Sequence, residues 1–313
     1  MIATVSREYT QFVGDREKAL LDALADKNSS VDSYRQSMYQ LGKCLGSVVL
    51  SQIANNSNSA YLACTAEDAD FLAKGILRRL ESSSANVTFA CFWNKRFKPF
   101  GISDLQVAPI LKRYLEPSGA QVDSLIIVKS IISGACVVRT NLIDTITRIS
   151  PQQIFIVAPV IYKGAEERLR KGFSENVYNK FHYIYLAEDD IKSPEGIIIP
   201  GIGGEVYERL GFGSQDDKNR STPDLVKERR LNISQRQSIL RSPKNDRYVV
   251  KHPDGWAVKK SPKERAIEVF ATQHQAEIRA KEIVSSLGEG EVIVQGSNGR
   301  WSDSDTVAPA KLF

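Results

Sequence analysis

Two stretches of this sequence set small residues directly after an apolar run, an arrangement that lets backbone N–H groups approach an anion or a flat ring. The first runs Ser124-Leu125-Ile126-Ile127-Val128-Lys129-Ser130, then Ile131-Ile132 and Ser133-Gly134-Ala135-Cys136, before a helical stretch over Val138–Ile149. Small residues at the start of a helix bring N–H donors to a phosphate, and the helix N-terminus adds positive potential. The same pattern also suits a tight connection with no ligand. The second runs Ile197-Ile198-Ile199-Pro200-Gly201-Ile202-Gly203-Gly204. Three glycines within four residues require a sharp turn or a close approach, and a planar base could rest on their main chain; a plain glycine-rich turn reads the same way. Lys95, Arg96 and Lys129 are the cations that would supply positive charge, and Glu208 follows the second stretch.

Other chemistries are poorly supplied. The four cysteines, Cys44, Cys64, Cys91 and Cys136, are far apart and form no C-x-x-C pair. They read as free thiols in a reducing compartment. The three histidines, His182, His252 and His274, have no ligand spacing. A zinc site and a histidine-based dyad are therefore not expected.

The elements that must position these residues are legible from periodicity. Helices are predicted over Arg16–Ala25, Ser33–Ala54 and Ala66–Leu80, each with apolar residues three and four apart. Strands are predicted over Ala60–Cys64, Val87–Phe92, Ser124–Val128, Ile154–Pro159 and Tyr183–Ala187. Continuous apolar runs of this kind suit strands buried on both faces, so the expected fold is α/β, an open, mostly parallel sheet flanked by helices. In such sheets ligands bind at the carboxyl ends of the strands.

The 313 residues imply about two domains. With 42% apolar and 25% charged residues, collagen-like, coiled-coil and wholly disordered chains are excluded. No apolar run reaches the ~18–20 residues of a membrane span, and the N-terminus lacks a signal-peptide pattern, so no membrane role and a cytoplasmic location are expected. Net charge is +5. Residues 214–245 hold eight Lys/Arg against four Asp/Glu, or +4. That stretch reads as a basic linker or surface arm with a short helix over Pro223–Arg230. It divides a first domain, 1–213, from a small α+β module, 246–313. The module is predicted as ββαββ, with strands Arg247–His252 and Gly255–Lys260, a helix over Gln273–Leu287, a strand over Glu291–Gly296 and a short last strand after Gly299.

Taken together and in order, the segments across most of 30–213 resemble the uracil phosphoribosyltransferase family. Ile197-Ile198-Ile199-Pro200-Gly201-Ile202-Gly203 is similar to that family's uracil-binding stretch, and Glu208-Arg209 with Gly211-Phe212-Gly213 to its Asp-Arg and closing Phe-Gly. Ile156-Val157-Ala158-Pro159 and Gly164 resemble its next strand and turn, and Phe92-Trp93-Asn94-Lys95-Arg96 its basic phosphate-contacting segment. The resemblance implies phosphate binding by Ser133, Gly134, Ala135 and Cys136, base binding by Gly201, Ile202, Gly203 and Glu208, and homo-oligomers. Magnesium is implied only if the chain is catalytic; otherwise no cofactor is expected.

The departures are equally specific. Lys129 stands where the family has a carboxylate facing the ribose and magnesium. Ala135-Cys136 replace a double glycine, and Val137 replaces a hydroxyl residue. Glu67-Asp68 stand where a pyrophosphate-binding arginine is expected, and Gly204 where an acidic residue is expected. Phosphoribosyl transfer rests on electrostatic stabilisation of pyrophosphate, so these losses predict a poor transferase. The leading expectation is a degenerate phosphoribosyltransferase-like regulator, binding a nucleotide or a protein encoded nearby, as in phage-defence or toxin–antitoxin loci. The alternatives are an active transferase for a pyrimidine-like base, and a nucleic-acid adaptor using 214–245 and the C-terminal hairpin. The module's Tyr248-Val249-Val250, Gly255-Trp256-Ala257-Val258, Thr272–Ala276 and Gly299-Arg300 resemble a small uncharacterised bacterial domain family.

Overall fold

A computed structural model of the chain describes residues 7–53, 59–83, 86–97, 99, 106–237, 244–288 and 290–307. Its contacts divide it into two units, Met1–Leu111 with Glu116–Val226, and Lys112–Leu115 with Lys227–Phe313. Among the described residues, no helix is long and apolar enough to cross a membrane.

The first unit begins with β1 (Arg7–Tyr9), α1 (Asp15–Ala25), α2 (Val31–Gln52), β2 (Ser59–Thr65), α3 (Ala66–Asp68), a π-helical turn over Ala69–Ala73, α4 (Lys74–Glu81) and β3 (Asn86–Asn94). After β4 (Ile110–Leu115), which straddles the division, come β5 (Gln121–Val128), β6 (Ile131–Ile132), α5 (Cys136–Ile146), β7 (Ser150–Tyr162), α6 (Ala165–Arg170), α7 (Glu175–Tyr178) and β8 (Phe181–Asp189). The small strands β9 (Ile191–Lys192) and β10 (Ile198–Ile199) pair with each other and precede α8 (Val206–Arg209), α9 (Gln215–Arg220) and α10 (Asp224–Gln237), whose residues from Lys227 on belong to the second unit.

The sheet runs β1-β8-β7-β5-β2-β3-β4. Its pairs from β8 to β3 are all parallel, and β1 runs against β8. All five predicted strands lie in it. Leu125, Ile126, Ile127, Val128, Ile156 and Val157 are buried, as strands covered on both faces require. Helix α2 turns Met38, Leu41, Leu45 and Val49 inward at helical spacing. It opens on Ser30, whose hydroxyl accepts the Ser33 N–H at 3.1 Å. Helix α2 starts two residues before the predicted Ser33, and the predicted end, Ala54, lies outside the described residues. Two further predicted helices also have different bounds. Ala66–Leu80 is interrupted by the π-helical turn, and α5 starts at Cys136 and stops at Ile146.

The second unit carries β11 (Arg247–His252), β12 (Gly255–Lys259), β13 (Ala266–Phe270), α11 (Gln273–Leu287), β14 (Gly290–Gln295) and β15 (Trp301–Val307). Strand order is β13-β12-β11-β14-β15, with β11 and β14 parallel at its centre. Val249, Val258, Ala276, Ala280, Val284, Val292 and Val294 form its core. The predicted ββαββ pattern lacks one strand, β13. It is an edge strand with Ile267 and Val269 exposed, and it follows a run of charged and turn residues that hides its short alternation. The stretch predicted as a linker contains α9 and α10; the described part of α10 is longer than the expected short helix.

Candidate functional site

The parallel strands β2, β3 and β5 end side by side, so the residues that follow them share one edge of the sheet. After β2 comes Glu67-Asp68, after β3 Lys95-Arg96, and after β5 Lys129-Ser130. Lys129 is buried between the two carboxylates. Its Nζ lies 2.8 Å from Asp68 Oδ2, 3.2 Å from Glu67 Oε1 and 3.1 Å from Ser130 Oγ. Asp68 also accepts the Thr65 hydroxyl at 2.6 Å and the Ser130 N–H at 3.1 Å. A second lysine completes the group. Lys218, on α9, places Nζ 3.1 Å from Glu67 Oε2 and donates to the Asn94 carbonyl at 3.0 Å. Its side chain is 1% exposed and lies over the Tyr207 ring.

The result is a buried, neutral cluster of two carboxylates and two ammonium groups. Burial alone would raise the Glu67 carboxyl, but Lys129 and Lys218 outweigh it and hold Glu67 well below the usual carboxylate range. Burial likewise disfavours the Lys129 ammonium, yet Asp68 and Glu67 lift it above the usual lysine range. Glu67 and Lys129 therefore stay charged, and both carboxylates are faced by lysines from within the protein.

Arg96 sits at the rim. Its side chain meets Glu205 at 3.1 Å and approaches the Tyr207 ring, while Gln215 takes both its main-chain groups, accepting its N–H at 2.7 Å and donating to its carbonyl at 3.2 Å. Lys95 pairs with Asp216 at 3.0 Å. Both cations remain about two-fifths exposed.

The loop after β6 is open. Gly134 is exposed, and Ser133 and Cys136 are half-buried. Ala135 takes a left-handed conformation (φ 61°) as the N-cap of α5, so the first N–H groups of an eleven-residue helix follow it. Burial raises the Cys136 thiol despite Arg96 and Arg139 nearby, which keeps it protonated at neutral pH.

The second glycine stretch is closed. Gly201, Ile202 and Gly203 are buried. A Cβ on Gly203 (φ 77°) would stand 2.3 Å from the Leu24 carbonyl oxygen at the end of α1. Asp189, fully buried, accepts the Gly201 N–H at 2.9 Å and receives Arg7 through Nε and Nη2 at 2.8 and 2.7 Å. Arg7 also donates to the Gly201 carbonyl at 2.6 Å. Glu208 is exposed, whereas its neighbour Arg209 turns inward to the Asp26 and Lys27 carbonyls at 2.7 and 3.0 Å.

The structure thus brings Lys129 together with Glu67 and Asp68, and Arg96 with Glu205, Gln215 and Tyr207. Sequence reading singled out neither Lys218 nor Tyr207. Lys218 lies in a charged run, Asp216-Asp217-Lys218, where nothing local signals burial. A separate cavity of about 570 Å³ opens beside α6 and α7, lined among others by Glu166, Phe173, Tyr178, Tyr185 and Glu188; none of the predicted site residues lines it.

Residues 247–307 match a family described as an uncharacterised protein conserved in bacteria, DUF2188. No curated protein matches the chain. Among solved structures, the AQ2163 protein from Aquifex aeolicus is 17% identical, aligned over 64% of this chain and 97% of its own with a TM-score of 0.52. A hypoxanthine phosphoribosyltransferase from Staphylococcus aureus is 11% identical over 47% of this chain and 72% of its own, TM-score 0.32. A hypothetical protein from Neisseria gonorrhoeae with bound ppGpp is 11% identical over 49% and 81%, TM-score 0.34. The first unit is a mixed sheet with flanking helices, and a separate small sheet module follows it, in which residues 247–307 match DUF2188.

Proposed function

We propose that the first unit is a nucleotide-binding regulator that has kept the phosphoribosyltransferase scaffold and given up phosphoribosyl transfer. The observation that carries this reading is the buried cluster of Glu67, Asp68, Lys129 and Lys218. Transfer needs groups that hold pyrophosphate and its magnesium and that gain strength as the leaving group develops charge. Here Glu67 and Asp68 are each paired with buried lysine, Glu67 with Lys129 and Lys218 and Asp68 with Lys129. Carboxylates already held by buried ammonium groups do not fit a magnesium shell. Each tenfold of lost rate is about 1.4 kcal/mol of lost stabilisation, and several such groups are replaced at once.

Binding capacity is supported at the neighbouring loop. Backbone N–H groups at Ser133–Cys136 and the rim cations Arg96 and Lys95 suit a monophosphate, which needs no metal. Calorimetric titration with UMP, uracil and phosphoribosyl pyrophosphate, each with and without Mg²⁺, tests this. UMP should bind equally well without the ion, and a mixture of uracil and phosphoribosyl pyrophosphate should release no pyrophosphate. Magnesium-dependent binding of phosphoribosyl pyrophosphate followed by turnover would overturn the reading.

A further inference from the structure

The second unit contains a short segment drawn from far away in sequence, Lys112-Arg113-Tyr114-Leu115, which is part of the extended strand β4 and whose main chain is met by side chains of one strand of the module. Along β15, Asp303 Oδ2 meets Lys112 Nζ at 2.7 Å. Asp305 Oδ1 accepts the Arg113 N–H at 2.9 Å, and Thr306 Oγ1 accepts the Leu115 N–H at 3.1 Å. Tyr114, between them, is 2% exposed with the Arg230 guanidinium over its ring, and Arg230 also donates to the Ser304 carbonyl. Asp305 is itself anchored by Lys281 of α11 at 2.9 Å.

This pattern is that of a reader rather than of generic packing. Side chains of β15 take the main-chain donors of an extended segment, which fixes its direction and register whatever its sequence. Selectivity comes from two further contacts. A carboxylate at Asp303 asks for a cation, and the buried place of Tyr114 asks for an aromatic ring two residues later. Acidic side chains at this edge also oppose a polyanion, which disfavours nucleic acid as its occupant. We propose that β15 of the DUF2188 module is a peptide-reading edge for an extended basic–x–aromatic–aliphatic segment, occupied in this chain by its own Lys112–Leu115.

Two measurements on the full chain decide it. In the first, amide hydrogen exchange is followed at Arg113 and Leu115, with Val249 and Val250 of β11 as the folding control. Asp305→Asn should speed exchange at Arg113, and Thr306→Val at Leu115, by about tenfold or more, with the control amides unchanged. Unchanged exchange at Arg113 and Leu115 overturns the assignment. In the second, a fluorescent peptide of residues 109–117 is titrated into full chain carrying Lys112→Glu, which weakens the resident segment. It should bind, more weakly to unsubstituted chain, and at least tenfold more weakly when Asp303→Asn is added. A peptide carrying the same Lys112→Glu change should not bind. Absence of binding, or binding indifferent to Asp303, overturns it.

Discussion

The two glycine-bearing turns at the carboxyl ends of the sheet carry the same local signal, an apolar strand running into small residues, and they meet opposite surroundings. The turn at Ser133–Cys136 is open, with Gly134 exposed and the start of α5 behind it. The turn at Pro200–Gly203 is sealed on one side by the Asp189–Arg7 pair and on the other by the last carbonyls of α1. The first has glycine where a ligand has room. The second has glycine because the chain's own backbone already fills the space. A glycine-rich turn therefore marks close approach, and only the distant partner decides whether what approaches is a ligand or the protein itself.

The largest effect should come from breaking the seal. Asp189→Ala leaves the Arg7 guanidinium buried without its carboxylate and the Gly201 N–H without an acceptor. Removing one partner of a buried pair costs about 4 kcal/mol, so urea denaturation should show a loss of that order. A loss below about 1 kcal/mol would mean that the pair does not hold the turn.

The open side is tested through the buried cluster. Lys129→Met leaves two buried carboxylates facing Lys218 alone and should cost about 3 kcal/mol. Lys218→Met should be destabilising too. The double variant Glu67→Gln with Lys218→Met should cost less than the sum of its parts, because the partners are removed together. The same cluster sets a pH window. Glu67 is depressed in the fold, so its contribution is complete above the unfolded carboxyl value of about 4.3 and fades as pH falls below it. Lys129 is raised, so its contribution is complete below the unfolded lysine value of about 10.4 and fades as pH rises beyond it. Denaturation between pH 3 and 11 should show this plateau, and Lys129→Met should flatten its alkaline edge.

A smaller and more direct contrast uses the glycines themselves. Gly203→Ala sets a Cβ 2.3 Å from the Leu24 carbonyl oxygen at a positive φ, and should cost about 2–3 kcal/mol. Gly134→Ala meets nothing nearer than Gln106 Oε1 at 3.5 Å and should stay within about 0.5 kcal/mol. Equal costs would erase the distinction between the two turns.

How much of this was legible in the sequence follows from what each feature depends on. Apolar runs and helical spacing report burial of the residue that carries them, so the five central strands and α2 could be read directly. The edge strand β13, half exposed, carries little of that signal. The site divides in the same way. Lys129, Arg96 and the loop 133–136 follow strands and were visible as candidates. Lys218 is buried through Glu67 and the Asn94 carbonyl, more than 120 positions away, and its neighbours Asp217 and Asn219 look like any solvated run. The departures at Glu67-Asp68 and Lys129, each unfavourable for pyrophosphate when read singly, become one compensated unit only in three dimensions.

The finest test separates binding from stability at Arg96. Its ion pair with Glu205 is about two-fifths exposed on both sides, and exposed pairs contribute roughly 0–1 kcal/mol, so Arg96→Ala should scarcely move the denaturation midpoint. The Gln215 contacts use Arg96 main-chain atoms and survive the substitution. If a monophosphate sits at the open turn, loss of the guanidinium removes a charge-assisted bond and UMP affinity should fall by about tenfold, or about 1.4 kcal/mol. Glu205→Gln frees the same guanidinium from competition and should move affinity the other way. Because the sealed turn does not depend on either residue, both changes should leave the cost of Asp189→Ala unaltered. Coupling between them would place the ligand across the two turns rather than at the open one.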